Sequence, residues 1–260
     1  MNKEWKTIGD MRVQVAGAGP AIVFCHGFTT TSEFWRNQVD VFSAERRVVL
    51  INLPGHGVSP APQGRSYSID AFVQDIEQVF EALDIDQAIL VGLSMGGTVA
   101  QQFALRNPQR LKALVLVGAT PHGLGADVKA ENVLAGIREL GVAQASQLVI
   151  ERSFGSRAPA ELIDFGKQEV VQTPEHVAIE AIESLNRADS RARLGEIQVP
   201  TLVVCGVEDQ ITPPSESRQL AAGIPGAELV LVEGAAHFPM LECPEEFNLA
   251  LGNFIARAMN

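Results

Sequence analysis

Six short stretches of almost unbroken apolar sequence constrain this chain more than anything else in it: Ala21 to Cys25, Val48 to Leu53, Ala88 to Leu93, Leu111 to Val117, Thr201 to Cys205 and Leu229 to Val232. Each is four to seven residues long, rich in Val, Ile and Leu, with Gly or Pro close by. Apolar side chains at consecutive rather than alternate positions suit a strand buried on both faces, the condition of a parallel sheet covered by helices. Helical patterns separate the runs. Phe72, Ile76, Val79, Phe80 and Leu83 recur at three- and four-residue spacings, Gly96 to Leu105 follows a tight glycine turn, and Glu245 to Ala258 closes the chain. Strand alternating with helix predicts a doubly wound α/β fold. Trp5 to Val15, with Arg12 and Gln14 alternating against apolar neighbours and a Gly9-Asp10 turn, reads as an antiparallel hairpin at the sheet edge.

Residues 122–195 break that rhythm. They contain no buried-strand run, and helix patterns take over: Val133, Leu134, Ile137 and Leu140 form one stripe, and Ala178, Ile182 and Leu185 form another after Thr173 as N-cap and Pro174 at the first helical position. The expected organisation is a core of residues 1–121 and 196–260 with a helical cap, 122–195, over the C-terminal ends of the strands, where ligands bind in such sheets.

Composition narrows the partners. Twenty basic against 31 acidic residues leave a formal charge of -11, so attraction to phosphate backbones or anionic membranes is absent and a small-molecule ligand is expected. Cys25, Cys205 and Cys243 form no CxxC pair and no His/Cys cluster of metal-ligand spacing; Cys25 and Cys205 read as small buried hydrophobes. No metal or cofactor is expected. The N-terminus lacks a signal-like apolar region, and no stretch approaches 18 apolar residues, so a cytoplasmic location without a membrane span is expected. Oligomeric state has no signature in the sequence.

The chemistry gathers at the ends of the apolar runs. Gly92-Leu93-Ser94-Met95-Gly96 matches GxSxG, with small residues where a strained strand-to-helix turn needs them if a serine is to project from its tip. A serine hydroxyl attacks only when a base removes its proton and an acid orients that base. His237, after the run ending at Val232, and Asp209, after the run ending at Cys205, supply that pair from equivalent loops, with Glu208 as the spare acid. An oxyanion requires two oriented donors. Met95 N–H is one; the other is expected from His26-Gly27-Phe28-Thr29, where Gly27 lets the backbone approach and Phe28 N–H points inward. His26 reads as a turn histidine holding that loop, and His56 and His176 as structural, while His122 stands just past a strand end, at an address that faces the pocket. Arg138, Arg152, Arg187 and Arg191 in the cap are candidate clamps for a substrate carboxylate.

Together, His26-Gly27, Pro54-Gly55-His56-Gly57-Val58-Ser59, Gly92 to Gly97, Asp209 and Gly234 to His237 resemble the α/β-hydrolase superfamily over about residues 20–256, the cap excepted. The small cap and Ile211-Thr212-Pro213-Pro214 resemble the 3-oxoadipate enol-lactonase and small carboxylesterase branch, although Asn52 stands where an Asp is usual. The resemblance implies a mostly parallel eight-stranded sheet and a cofactor-independent serine hydrolase of a small ester or lactone, working through an acyl-enzyme. Carbon-carbon bond hydrolysis and perhydrolysis use the same three residues, and a lactone receptor on a hydrolase scaffold is the reading from another class.

Overall fold

Each of the six apolar runs forms a strand, to within one residue at either end. The computed structural model describes residues 4–125 and 128–258. Its strands are β1 (Glu4–Ile8), β2 (Met11–Ala16), β3 (Ala21–Cys25), β4 (Arg47–Asn52), β5 (Ala88–Leu93), β6 (Leu111–Val117), β7 (Thr201–Gly206) and β8 (Glu228–Val232). They make one eight-stranded sheet in the order β1-β2-β4-β3-β5-β6-β7-β8. β2 is antiparallel to β1 and to β4, and the pairs from β4 through β8 are parallel. The edge hairpin thus forms as expected. From β3 the chain turns outward to β4, then crosses over to β5 on the other side of β3. That reversal opens a crevice at the C-terminal ends of β3 and β5, where Cys25 pairs with Gly92.

The helices are α1 (Arg36–Phe42), α2 (Ile69–Ala82), α3 (Met95–Arg106), α4 (Ala130–Ser153), α5 (Ala160–Glu169), α6 (Glu175–Arg187), α7 (Pro214–Gly223), α8 (Pro239–Glu242) and α9 (Pro244–Ala258). Because successive strand residues point to opposite faces, β3 feeds two cores. Val23 and Cys25 pack with Phe72, Ile76 and Phe80 of α2 and Phe103 of α3. Ile22 and Phe24 pack with Trp35, with Val39 of α1 and with Phe247 and Phe254 of α9. Truncating one of these buried aromatics to Ala costs about 3–5 kcal/mol.

Two helix starts differ from expectation. α2 begins at Ile69, three residues before the apolar stripe, because the Ser68 hydroxyl accepts the Ala71 N–H. α6 begins at Glu175 with Pro174, not Thr173, at the N-cap, and the Thr173 hydroxyl is buried without a hydrogen bond.

Between β6 and β7 the described residues form α4, α5, α6 and 3-10 turns, with no strand pairing beyond a bridge of His122 to Asp189. α4 is the longest helix among the described residues. On length and composition alone it is able to cross a bilayer, with 24 residues and a mean hydropathy of 1.2 over its apolar window. Its backbone breaks at Gly141 (φ 76°, ψ 158°), however, so neither half reaches the roughly 20 residues a span requires. Val133, Ile137 and Leu140 of its stripe line a cavity instead of joining the sheet core.

His26 and His56 stack 5.0 Å apart in the interior, and burial pushes them down from 6.5 to about 3 and about 4. Unfolded, both take up protons near 6.5, whereas the native chain refuses them until well below, so stability falls as pH drops from 6.5 toward the folded values. Each histidine costs about 1.4 kcal/mol per pH unit in that window. Asp75 and Glu242, which burial pushes upward, return part of it. Urea unfolding at pH 6.5 and pH 5 should differ by up to about 4 kcal/mol, and a His56→Gln variant should show a visibly shallower slope; equal slopes would contradict this account.

Candidate active site

The turn from β5 into α3 carries Ser94. Its backbone sits at φ 51°, ψ −116°, a strained conformation for a residue with a Cβ, and it lifts the side chain off the strand end. The neighbouring glycines make the turn possible. A Cβ on Gly92 would overlap the Gly96 carbonyl, and one on Gly96 would overlap the carbonyl of His26. Ser94 N–H donates to Val117 O at 2.9 Å, and Gly97 N–H donates to Ser94 O at 2.8 Å, so both sides of the turn are anchored.

Across the β3/β5 crevice lies the loop after Cys25. His26 holds it as expected: Nδ1–H donates to Gly27 O at 2.8 Å, and Nε2 accepts the Leu53 N–H at 3.0 Å, which fixes the tautomer. Thr30, which sequence reasoning missed, closes the turn by accepting the Gly27 N–H at 2.8 Å and donating to Gly27 O at 3.0 Å. Phe28 and Met95 both line the same cavity as Ser94. Met95 opens α3, so its N–H has no preceding turn to donate to.

Asp209 and His237 meet on the far side. His237 Nδ1 lies 2.9 Å from Asp209 Oδ2, and both side chains are buried. Asp209 also initiates the turn that follows it: Ile211 and Thr212 N–H each donate to Oδ1 at 2.9 Å, while the Thr212 hydroxyl donates to Oδ2 at 2.8 Å. Burial alone would raise this carboxyl, but the His237 imidazole and these donors outweigh it and hold Asp209 below the usual carboxylate range. With Nδ1–H given to Asp209, His237 Nε2 is left as a base. Ser94 and His237 share the cavity wall without a hydrogen bond between them among the described residues; such bonds are often long in the absence of substrate.

Gly118 backs the imidazole. At φ 49° it takes a conformation that favours glycine, and a Cβ there would lie 3.1 Å from His237 Nδ1. Its only signal in the sequence is a glycine at the end of an apolar run. Glu208, the spare acid, points elsewhere and accepts the Ser156 N–H at 2.7 Å.

The cavity measures about 550 Å³, within the range of small-molecule sites. Ile137, Leu140, Leu148, Val149 and Ile182 give it an apolar wall, and among the described residues the ionisable ones on it are His237 and Arg152. Arg138, Arg187 and Arg191 are not on this wall, and Arg191 is paired with Asp189 at 2.7 Å. Nor is His122, which lies 3.5 Å from Glu216 instead of facing the pocket. His56 donates from Nδ1 to Pro54 O at 3.1 Å, and His176 packs edge-on against Tyr67. Cys25 and Cys205 are buried, with thiols pushed up to about 12 by burial first of all.

Comparison with known proteins agrees with this fold. A family described as alpha/beta hydrolase fold matches residues 20–135 and 149–244. The chain is similar to 3-oxoadipate enol-lactonase 2 of Acinetobacter baylyi, with 28% identity over 256 residues, covering 96% of this chain and 95% of that protein. Among solved structures it is similar to a thermophilic esterase from Thermogutta terrifontis (26% identity, TM-score 0.89, all of both chains). It is also similar to an N-acyl homoserine lactone degrading enzyme (31% identity, TM-score 0.85, 96% of this chain and 100% of that one).

Proposed function

The chain belongs to the α/β-hydrolase family, and from that premise we propose that it is a cofactor-independent serine hydrolase of small carboxylic esters or lactones, with Ser94 as nucleophile, His237 as base and Asp209 as the orienting acid. The relatives are esterases and lactonases, and the chain is an enzyme acting on ester bonds. One observation carries the finer reading: the buried 2.9 Å contact with Asp209 holds His237, which lines the same cavity as Ser94 at its strained turn.

In the proposed cycle Ser94 Oγ attacks the carbonyl carbon as His237 Nε2 takes its proton. The oxyanion is met by the N–H groups of Phe28 and Met95. Collapse expels the alkoxide, which His237 protonates, leaving an acyl-Ser94. Water then attacks that acyl group, giving a proton to His237, and the carboxylic acid leaves as Ser94 recovers its hydrogen. Asp209 stays ionised and stabilises the imidazolium. Residues 122–195 serve as a cap over the cavity and give it an apolar wall at Ile137, Leu148 and Ile182.

The cavity wall suggests the substrate class. An apolar arm fits against Ile137, Leu148 and Ile182, and among the described lining residues Arg152 offers a cation to an anionic group. We assign the carboxylate-clamp role to Arg152 over the other cap arginines. The test is steady-state turnover of p-nitrophenyl esters of two to twelve acyl carbons, their ω-carboxylate analogues and 3-oxoadipate enol-lactone. Arg152→Ala should raise KM for the carboxylate-bearing substrates by about ten- to hundredfold, the worth of a charged hydrogen bond, and leave kcat and the neutral esters unchanged. Equal effects on both substrate sets would remove Arg152 from the site. Turnover below about one per minute on every substrate would favour the receptor reading.

A further inference from the structure

Two carboxylates beside the proposed triad are not used by it. Glu242, in α8, lies five residues beyond His237 and is half-buried. Its Oε1 accepts the N–H groups of Ala236 at 3.0 Å and Phe238 at 3.1 Å, the two residues flanking His237. Its Oε2 accepts the N–H of Gly155, just past the end of α4, at 2.6 Å. The same segment is gripped twice more: His237 N–H donates to Ser153 O at 3.0 Å, and Glu208, next to Asp209, takes the Ser156 N–H. Gly155 fits between the two acids, and a Cβ on it would stand 3.1 Å from Glu242 and 3.2 Å from Glu208.

We propose that Glu242 is a positioning residue whose carboxylate clamps the His237 loop to the end of α4, so that the seating of residues 153–156 aims the imidazole at Ser94. This rests on the hydrolase reading above. The geometry divides the labour between the two oxygens. Oε1 holds the loop on both sides of the histidine, leaving its backbone little freedom to rotate. Oε2 ties that loop to the end of α4, which contributes to the apolar wall, so substrate pressing on α4 and the base that activates Ser94 are connected by three hydrogen bonds. A misplacement of about 1 Å in a catalytic group costs on the order of a hundredfold in rate, which makes a clamp on the loop consequential.

The test compares the parent protein with Glu242→Ala and Glu242→Gln, measuring the rate of covalent labelling of Ser94 by a fluorophosphonate, kcat and KM on a p-nitrophenyl ester, and the melting temperature. Glutamine retains an acceptor for Ala236 and Phe238 but offers Gly155 only an NH2 group. In a folded Glu242→Ala, labelling and kcat should fall together by about ten- to hundredfold with KM within about twofold of the parent. Glu242→Gln should lie between the two. A folded alanine variant with the parent's labelling rate and kcat, or one changed in KM alone, would overturn the clamp. If alanine does not fold, glutamine decides: kcat lower by about three- to tenfold supports the proposal, and parental kcat overturns it. Failure of the parent itself to label at Ser94 would overturn the hydrolase reading and the clamp with it.

Discussion

Ser94→Ala should lower kcat by about 10⁴- to 10⁶-fold and leave the protein as stable as the parent within about 1 kcal/mol. The rate effect is large because the proposed acyl-enzyme route requires the Ser94 hydroxyl, which the turn at φ 51° carries at the cavity. Residual turnover would come from the Phe28 and Met95 N–H groups and from binding, which still favour attack by water. Stability is expected to hold because the anchors of the turn are backbone groups, Ser94 N–H on Val117 O and Gly97 N–H on Ser94 O, and alanine keeps both. Alanine inherits the same positive φ, so the strain is unchanged. Burst and steady-state kinetics, with urea unfolding of the same samples, check both halves of this expectation. Equal rates in variant and parent would remove Ser94 from the mechanism.

What could be read in the residues divides along physical lines. Buried strands announce themselves by consecutive apolar residues, so β3 to β8 were legible almost to the residue. The turn at Ser94 was legible because two backbone close approaches forbid any side chain at 92 and 96, which leaves a visible glycine spacing. Interactions through backbone amides leave no such mark. The hold of Thr30 on the Gly27 N–H, the acceptance of the Thr212 N–H by Asp209 and the grip of Glu242 on residues 236 and 238 all involve residue types common in any loop. The break of α4 was missed for a related reason: Gly141 has open space around it and interrupts an apolar stretch whose periodicity continues on both sides. Choosing among the cap arginines was beyond sequence reasoning because a solvated helix face and a pocket wall have the same composition, and only the placement of Arg152 on that wall separates them.

The choice between the adjacent acids Glu208 and Asp209 leads to the second large effect. Asp209→Asn should lower kcat by about 10³- to 10⁴-fold, whereas Glu208→Gln should cost no more than about threefold. Asparagine preserves the volume and, with its carbonyl oxygen in the Oδ1 position, still accepts the Ile211 and Thr212 N–H groups at the turn. The amide nitrogen then replaces Oδ2 opposite His237 Nδ1. Two donors cannot share that contact, so the imidazole moves its proton to Nε2 and loses the lone pair that would receive the serine proton. The imidazolium formed during attack also loses its buried counter-charge. Because Asp209 is held below the usual carboxylate range, kcat/KM of the parent should show no inflection from this group as pH falls through ordinary carboxylate values. Glu208 is bonded to Ser156 and lines neither the cavity nor the contact with His237. Steady-state kinetics of the two variants on one neutral ester separate the assignments. Comparable losses in both would mean that the acid loop shifts on binding substrate, and a larger loss in Glu208→Gln would reverse the roles given to the two carboxylates.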